Sequence, residues 1–216
     1  MEIGKYIDHT NLKMDAREED IVKLCDEAVK YKFENVCVNP YYVSLAKSLL
    51  KDTNIGVCTV VGFPLGMNTP KVKSFEALEA IENGADEIDM VINVGALKDK
   101  DYDYVKKEIE LVRDDIDGHI LKVIIETSLL NEEEIIKMTE ICNETFAHYI
   151  KTNTGFAARG VKLEDVELIN KHKSELLEIK ASGGIKTYEQ ASKLIEAGAS
   201  RLGTSASVDI VKVEEK

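Results

Sequence analysis

Eight short runs rich in β-branched residues recur along this chain, beginning at residues 7, 36, 57, 87, 121, 148, 177 and 201. The interval between neighbouring starts suits a strand, a helix and two short loops. Runs such as Val57-Cys58-Thr59-Val60-Val61 and Ile88-Asp89-Met90-Val91-Ile92 are almost continuously apolar, as parallel strands covered on both faces are. Eight such units in 216 residues predict an α/β chain folded as a (β/α)8 barrel, one domain over residues 1–216. A doubly wound open sheet is the alternative arrangement of the same elements. No composition break or Gly/Ser linker marks a second domain.

Helix signals fill the gaps. Asp15-Ala16-Arg17-Glu18 reads as a capping box whose Asp accepts from the first free backbone N–H groups. Thr69-Pro70 puts Pro at a first helical position, and Gly84 closes that helix. Asn131 with Glu134, and Thr187 with Gln190, repeat the capping arrangement. After Asp99, Val105, Ile109 and Val112 share one face of a covering helix. Ile81-Glu82-Asn83-Gly84-Ala85-Asp86 and Ile195-Glu196-Ala197-Gly198-Ala199-Ser200 read as the same helix-to-strand joint used twice.

Charge narrows the partners. Lys and Arg number 28 against 40 Asp and Glu, a net charge of −12, which repels nucleic acid phosphates and anionic membranes. An anionic substrate therefore needs a local cationic pocket. The first twenty residues lack an apolar signal core, and no run approaches the ~20 apolar residues that span a bilayer. A cytoplasmic protein is expected. Cys25, Cys37, Cys58 and Cys142 show no CxxC spacing and lie in apolar stretches, so reduced, buried cysteines are expected. His9, His119, His148 and His172 form neither HxH nor HExxH, and no metal site is expected.

In such a barrel the active site lies at the C-terminal ends of the strands. Polar residues there are Asp8, Thr10, Asn39, Asp89, Asn93, Glu126, Thr127, Lys151, Asn153, Lys180, Ser182 and Ser205. Lysine inside a strand buried on both faces is anomalous, because an ammonium in an apolar interior is costly. Two appear, in Tyr149-Ile150-Lys151-Thr152 and Glu178-Ile179-Lys180-Ala181, one βα unit apart and hence level on neighbouring strands. If Lys180 is held as an ammonium, Lys151 should titrate lower and present a free amine, the nucleophile for a Schiff base with a carbonyl substrate. The reverse assignment is physically possible, and spacing does not choose between them. Asp89 reads either as the partner in a structural salt bridge or as a proton shuttle.

Ala181-Ser182-Gly183-Gly184-Ile185-Lys186-Thr187 follows a strand and opens a helix, where glycine lets backbone approach a ligand and the helix N-terminus attracts an anion. Leu202-Gly203-Thr204-Ser205 repeats the idea one unit later. Barrel phosphate sites commonly use the loops after strands seven and eight, and Lys186 adds a positive charge.

Six ordered motifs carry a resemblance over nearly the whole chain. They are Asp8-His9-Thr10, Val36-Cys37-Val38-Asn39-Pro40, Val61-Gly62-Phe63-Pro64-Leu65-Gly66, the run from Gly84 to Asn93, Lys151-Thr152-Asn153-Thr154-Gly155-Phe156, and Lys180-Ala181-Ser182-Gly183-Gly184-Ile185. In these the chain resembles the deoxyribose-phosphate aldolases, Schiff-base lyases of the (β/α)8 class. The resemblance implies reversible cleavage of 2-deoxy-D-ribose 5-phosphate to D-glyceraldehyde 3-phosphate and acetaldehyde. It makes Lys151 the imine-forming lysine, Lys180 the lysine that perturbs it and joins proton transfer, and Asp89 the acid/base. It places Asp8, Thr154, Gly155, Gly183, Gly184, Lys186, Gly203 and Ser205 around the phosphosugar. It implies no metal and no organic cofactor, and a homo-oligomer, dimer or tetramer. Two positions depart from the family pattern: Asn11 stands where Leu is frequent, and the tail VDIVKVEEK lacks the Tyr that some members use in proton transfer.

Overall fold

The computed structural model describes residues 2–214, so the last two residues of the Tyr-free tail lie outside the described part. Eight strands close into a barrel in chain order: β1 (Ile7–Asn11), β2 (Asn35–Val38), β3 (Gly56–Val61), β4 (Glu87–Val91), β5 (Ile120–Ile124), β6 (Tyr149–Lys151), β7 (Glu178–Ser182) and β8 (Arg201–Thr204). Each strand pairs in parallel with the next, and β8 returns to β1 through Ile7 opposite Leu202. Every strand begins within one residue of the expected position. The open-sheet alternative is excluded by that closure.

Helices cover the outside: α1 (Glu18–Tyr31), α2 (Val43–Leu50), α3 (Pro70–Glu82), α4 (Val94–Lys98), α5 (Tyr102–Asp115), α6 (Glu132–Glu144), α7 (Leu163–His172), α8 (Tyr188–Glu196) and α9 (Ser207–Glu214). Val105, Ile109 and Val112 of α5 are buried as the periodicity requires, each burial contributing roughly 1.5–3 kcal/mol. The capping pairs Asn131/Glu134 and Thr187/Gln190 form. The cap of α1 differs from expectation. Asp15 lies in a turn upstream, and Asp20 reaches back instead, its Oδ2 accepting from Arg17 N–H at 2.9 Å. No helix among the described residues is long and apolar enough to cross a membrane.

The repeated joint is real. Gly84 and Gly198 both adopt positive φ (103° and 116°), and Ala85 and Ala199 each bond back to the helix they leave, at 2.9 and 3.0 Å. Glycine makes that left-handed step without a Cβ penalty. His9 ties β1 to two helices, its Nδ1 2.8 Å from Ser207 Oγ and its Nε2 2.9 Å from Glu27 Oε2.

Successive side chains of a strand point to opposite faces. In β4, Ile88 and Met90 join the apolar layer under the helices, while Glu87 and Asp89 occupy the alternate positions. Lys122, Lys180 and Arg201 lie on the same interior face by their contacts with those carboxylates. Branched apolar side chains usually fill such an interior. Here charged side chains share it with a small apolar cluster of Leu12, Cys37, Cys58 and Val60.

Candidate active site

Three amines converge on one carboxylate. Asp89 Oδ2 accepts from Lys151 Nζ at 2.6 Å and from Lys180 Nζ at 2.7 Å, while Oδ1 accepts from Lys122 Nζ at 2.8 Å. The parallel register puts Lys151 opposite Lys180 and Asp89 opposite Lys122, so backbone geometry alone brings the four together. A second layer supports them. Asp8 Oδ2 accepts from Lys180 Nζ, and Asp8 Oδ1 accepts from Asn35 Nδ2 at 2.9 Å and Arg201 Nη1 at 2.8 Å. Glu87 pairs with Lys122 at 2.6 Å and accepts from Asn35 Nδ2 at 2.7 Å. All of these side chains are buried, Lys151 being 3% exposed.

Burial opposes the charge on Asp89, yet Lys122, Lys151 and Lys180 hold it well below the usual carboxylate range. Asp8 is likewise lowered against burial by Lys180, Arg201 and Lys122. Lys180 and Lys122 are raised against burial, chiefly by Asp8 and Asp89 for the first, and by Asp89 and Glu87 among the carboxylates for the second. The raised value favours Lys180 as an ammonium. The interior holds three carboxylates, Asp8, Glu87 and Asp89, with Lys122, Lys180 and Arg201 paired to them.

A cavity of about 540 Å³ is lined by Gly155, Gly183, Gly184, Lys186, Gly203 and Ser205 together with Thr10 and neighbouring residues of β1 and α1, while Asp89, Lys151 and Lys180 do not line it. Six of the expected substrate residues thus share one wall. Gly203 joins cavity to cluster, since a Cβ built on it stands 3.2 Å from Lys180 Cε and 3.0 Å from Ser182 Cβ. Thr154 sits beside Gly155, its N–H and hydroxyl both donating to Glu126 Oε2 at 2.9 and 2.6 Å. Asp8 is separate from this wall, fully buried below it and engaged with Lys180, Arg201 and Asn35.

The start of α8 carries a capping box. Gln190 Oε1 accepts from Lys186 N–H at 2.9 Å and Thr187 N–H at 3.3 Å, and Thr187 Oγ1 accepts from Gln190 N–H at 3.2 Å. The box thus takes up part of the backbone N–H groups at this helix start. Beside it the loop offers the glycine turn at Gly183 and Gly184, with φ of 91° and 76°, and Lys186.

Three charged residues escaped the sequence reading: Lys122, Glu87 and Arg201. Lys122 carries the same signal as the other two lysines, a cation inside an apolar β-branched run (Leu121-Lys122-Val123-Ile124-Ile125). Its position next to the strand start makes it look like a solvent-facing side chain. All four cysteines are free and buried. Cys37, Cys58 and Asp89, and separately Asp8, Cys58 and Glu87, place ligand-type atoms within 4.8 Å of one another. Lys122 Nζ stands 3.2 Å from Cys58 Sγ and 2.8 Å from Asp89 Oδ1, so an ammonium already neutralises that donor set.

A closed barrel with amines and a carboxylate inside, next to a glycine-walled cavity that Gly203 joins to Lys180, defines a barrel aldolase. The chain belongs to the DeoC/LacD family aldolases, whose family model matches residues 3–203. It is 55% identical over 213 residues to a deoxyribose-phosphate aldolase of Clostridium tetani, covering 98% of this chain and 99% of that protein. Among solved structures, the aldolase QR15 superposes with a TM-score of 0.95 at 44% identity, covering 99% of this chain and 96% of QR15. The deoxyribose phosphate aldolase of Aeropyrum pernix, described as tetrameric, superposes with a TM-score of 0.90 at 29% identity, covering 99% and 91%.

Proposed function

We propose that this enzyme catalyses the reversible aldol cleavage of 2-deoxy-D-ribose 5-phosphate into D-glyceraldehyde 3-phosphate and acetaldehyde, with Lys151 as the Schiff-base lysine. The observation that carries the reading is the convergence of Lys151 and Lys180 on Asp89 Oδ2. The amine of Lys151 attacks C1 of the open-chain sugar, and loss of water leaves a protonated imine. The C3 hydroxyl then gives up its proton, the C2–C3 bond breaks, and its electron pair flows into the iminium. C3 leaves as the aldehyde of glyceraldehyde 3-phosphate, and an enamine of acetaldehyde stays on Lys151. Protonation at C2 and hydrolysis release acetaldehyde and restore the amine.

Asp89 suits two parts of this cycle. A carboxylate held ionised in a dry interior stabilises the iminium cation beside it. It also returns any proton it receives, which favours relay between Lys180 and a water over storage. Lys180, a fixed ammonium one hydrogen bond from the same oxygen, is the donor for enamine protonation. Gly155, Gly183, Gly184, Lys186 and Ser205 form the wall for the phosphate end, and Gly203 joins that wall to Lys180. The enzyme's own amine provides the electron sink, so neither metal nor organic cofactor enters the scheme.

Release of acetaldehyde from 2-deoxyribose 5-phosphate, followed through a coupled dehydrogenase with and without EDTA, tests the function. Turnover that is insensitive to EDTA is expected; inactivity, or activity abolished by the chelator, rejects it. We further propose a cytoplasmic protein that acts on small phosphosugars without nucleic acid or membrane partners. A homo-oligomer is the expected state, in keeping with the exposed apolar Leu65, Met67, Val72 and Phe75 in and before α3.

A further inference from the structure

Glu126, at the C-terminal end of β5, combines two features that neither the fold nor the aldol chemistry above explains. Its backbone is left-handed, with φ 53° and ψ 67°, a region that residues other than Gly, Asn and Asp seldom occupy. Its side chain is buried and accepts four hydrogen bonds. Oε2 accepts from Thr154 N–H at 2.9 Å and Thr154 Oγ1 at 2.6 Å, and Oε1 accepts from Asn153 Nδ2 at 2.8 Å and Ser128 Oγ at 2.6 Å. Three of those four donors belong to Asn153 and Thr154, near the start of the loop between β6 and α7 that leaves the strand ending at Lys151.

That loop runs directly against the glycine turn of the cavity. A Cβ built on Gly155 stands 3.8 Å from Gly183 Cα, and Val161 N–H donates to Gly183 O at 3.0 Å. Gly160 leaves no room for a side chain, since a Cβ there would collide with Gly183 O. Below the loop, Ile125 N–H donates to Lys151 O at 3.0 Å and Thr127 N–H to Thr152 O at 2.9 Å. The left-handed step at Glu126 falls between those two bonds. The chain of contacts thus runs from Glu126 to Thr154, from Gly155 to Gly183, and ends at the wall of the cavity.

We propose that Glu126 is a positioning residue for the phosphate end of the site: its carboxylate fixes Asn153 and Thr154 so that Gly155 stands against Gly183 and the two loops form one anion-binding wall. The proposal rests on the reading that this wall holds the substrate phosphate. Burial alone would favour the neutral acid, but the bonds from Ser128, Thr154 and Asn153 lower the Glu126 carboxyl below its ordinary value, in keeping with an acceptor-only side chain.

Two variants test it. Glu126→Gln keeps the volume but replaces one acceptor oxygen with an NH2 group, which confronts two of the four donors. Thr154→Val keeps the carboxylate and removes only the hydroxyl donor. In Glu126→Gln the dissociation constant for inorganic phosphate, titrated by calorimetry, should rise about tenfold, as should KM for 2-deoxyribose 5-phosphate. KM for unphosphorylated 2-deoxyribose and the rate of borohydride trapping with acetaldehyde should stay within about twofold. Thr154→Val should shift the same pair of constants by about threefold, and it answers the question if Glu126→Gln does not fold. Unchanged phosphate affinity in a folded variant overturns the proposal, as does equal loss on both sugars. The phosphate titration needs no turnover. A wild-type enzyme that binds phosphate yet cleaves no phosphosugar rejects the aldolase reading alone, whereas a wild-type enzyme that binds no phosphate rejects the wall.

Discussion

Lys151 and Lys180 deliver their Nζ atoms to the same oxygen of Asp89, at 2.6 and 2.7 Å. Because the two lysines are register partners on adjacent parallel strands, the arrangement is set by backbone pairing and needs no loop to hold it. Lys180 is in addition clamped by Asp8, whereas Lys151 has Asp89 as its only carboxylate partner among the described residues. The asymmetry supports the proposed roles, Lys180 as the proton donor and Lys151 as the lysine that bonds carbon.

Replacing Lys151 by Arg should abolish turnover while the barrel remains folded. A guanidinium stays protonated and cannot form a carbinolamine, so kcat/KM for 2-deoxyribose 5-phosphate should fall by roughly 10³ or more. Far-ultraviolet circular dichroism checks the fold. Residual activity within tenfold of wild type would exclude Lys151 as the nucleophile.

Lys122 is assigned a structural share in the cluster, pairing with Glu87 at 2.6 Å and Asp89 at 2.8 Å. Removing one partner of a buried pair strands the other, so Lys122→Met should cost about 3–5 kcal/mol in urea unfolding. A loss under about 1 kcal/mol would mean that the carboxylates find other partners, Arg201 being the nearest candidate for Glu87.

The barrel was legible because its signal is repeated: eight apolar β-branched runs, each followed by a helix with its own cap, leave little freedom of topology. Lys151, Lys180 and Asp89 were legible because each interrupts such a run. Lys122 interrupts one too, but a lysine one residue from a strand start also fits a solvent-facing side chain, and only the closed register shows it pointing inward beside Asp89. Arg201 opens β8 in the same ambiguous way. Asp8 shows the opposite limit. Its motif marks it as part of the site, but nothing local to β1 says that Lys180, Arg201 and Asn35 consume both its oxygens. At the start of α8 the residues that announce the helix, Thr187 and Gln190, also occupy part of its N–H groups.

The interior charges also set the pH dependence of stability. The Asp8 and Asp89 carboxyls lie lower in the native state than in the unfolded chain. Their contribution is therefore complete above about pH 4, the unfolded value, and is lost as pH falls from there toward the native values. Lys122 and Lys180 are raised, so theirs is complete below about pH 10.4 and is lost as pH rises beyond it. Asp8→Asn should flatten the acid arm of urea-derived stability by up to about 1.4 kcal/mol per pH unit. An acid arm as steep as that of wild type would show that Asp8 has no depressed native value.

Two glycines in the cavity wall should respond differently. Gly184 has φ 76°, so Gly184→Ala strains the turn itself, and KM for the phosphosugar should rise more than KM for 2-deoxyribose. At Gly203 the backbone is ordinary, but an added methyl presses on Lys180 Cε at 3.2 Å and Ser182 Cβ at 3.0 Å. Gly203→Ala should therefore lower kcat, with KM for the phosphosugar within about threefold of wild type. Matching steady-state profiles for the two variants would refute the division of the wall into a phosphate end and a lysine end.

The central claim, that Lys151 is the residue that bonds carbon, is tested most directly by trapping. A brief pulse of acetaldehyde with borohydride, followed by peptide mapping, should place one ethyl group on Lys151 in step with the loss of activity. Inactivation with the label on Lys180 or Lys122 and Lys151 unmodified would contradict the account.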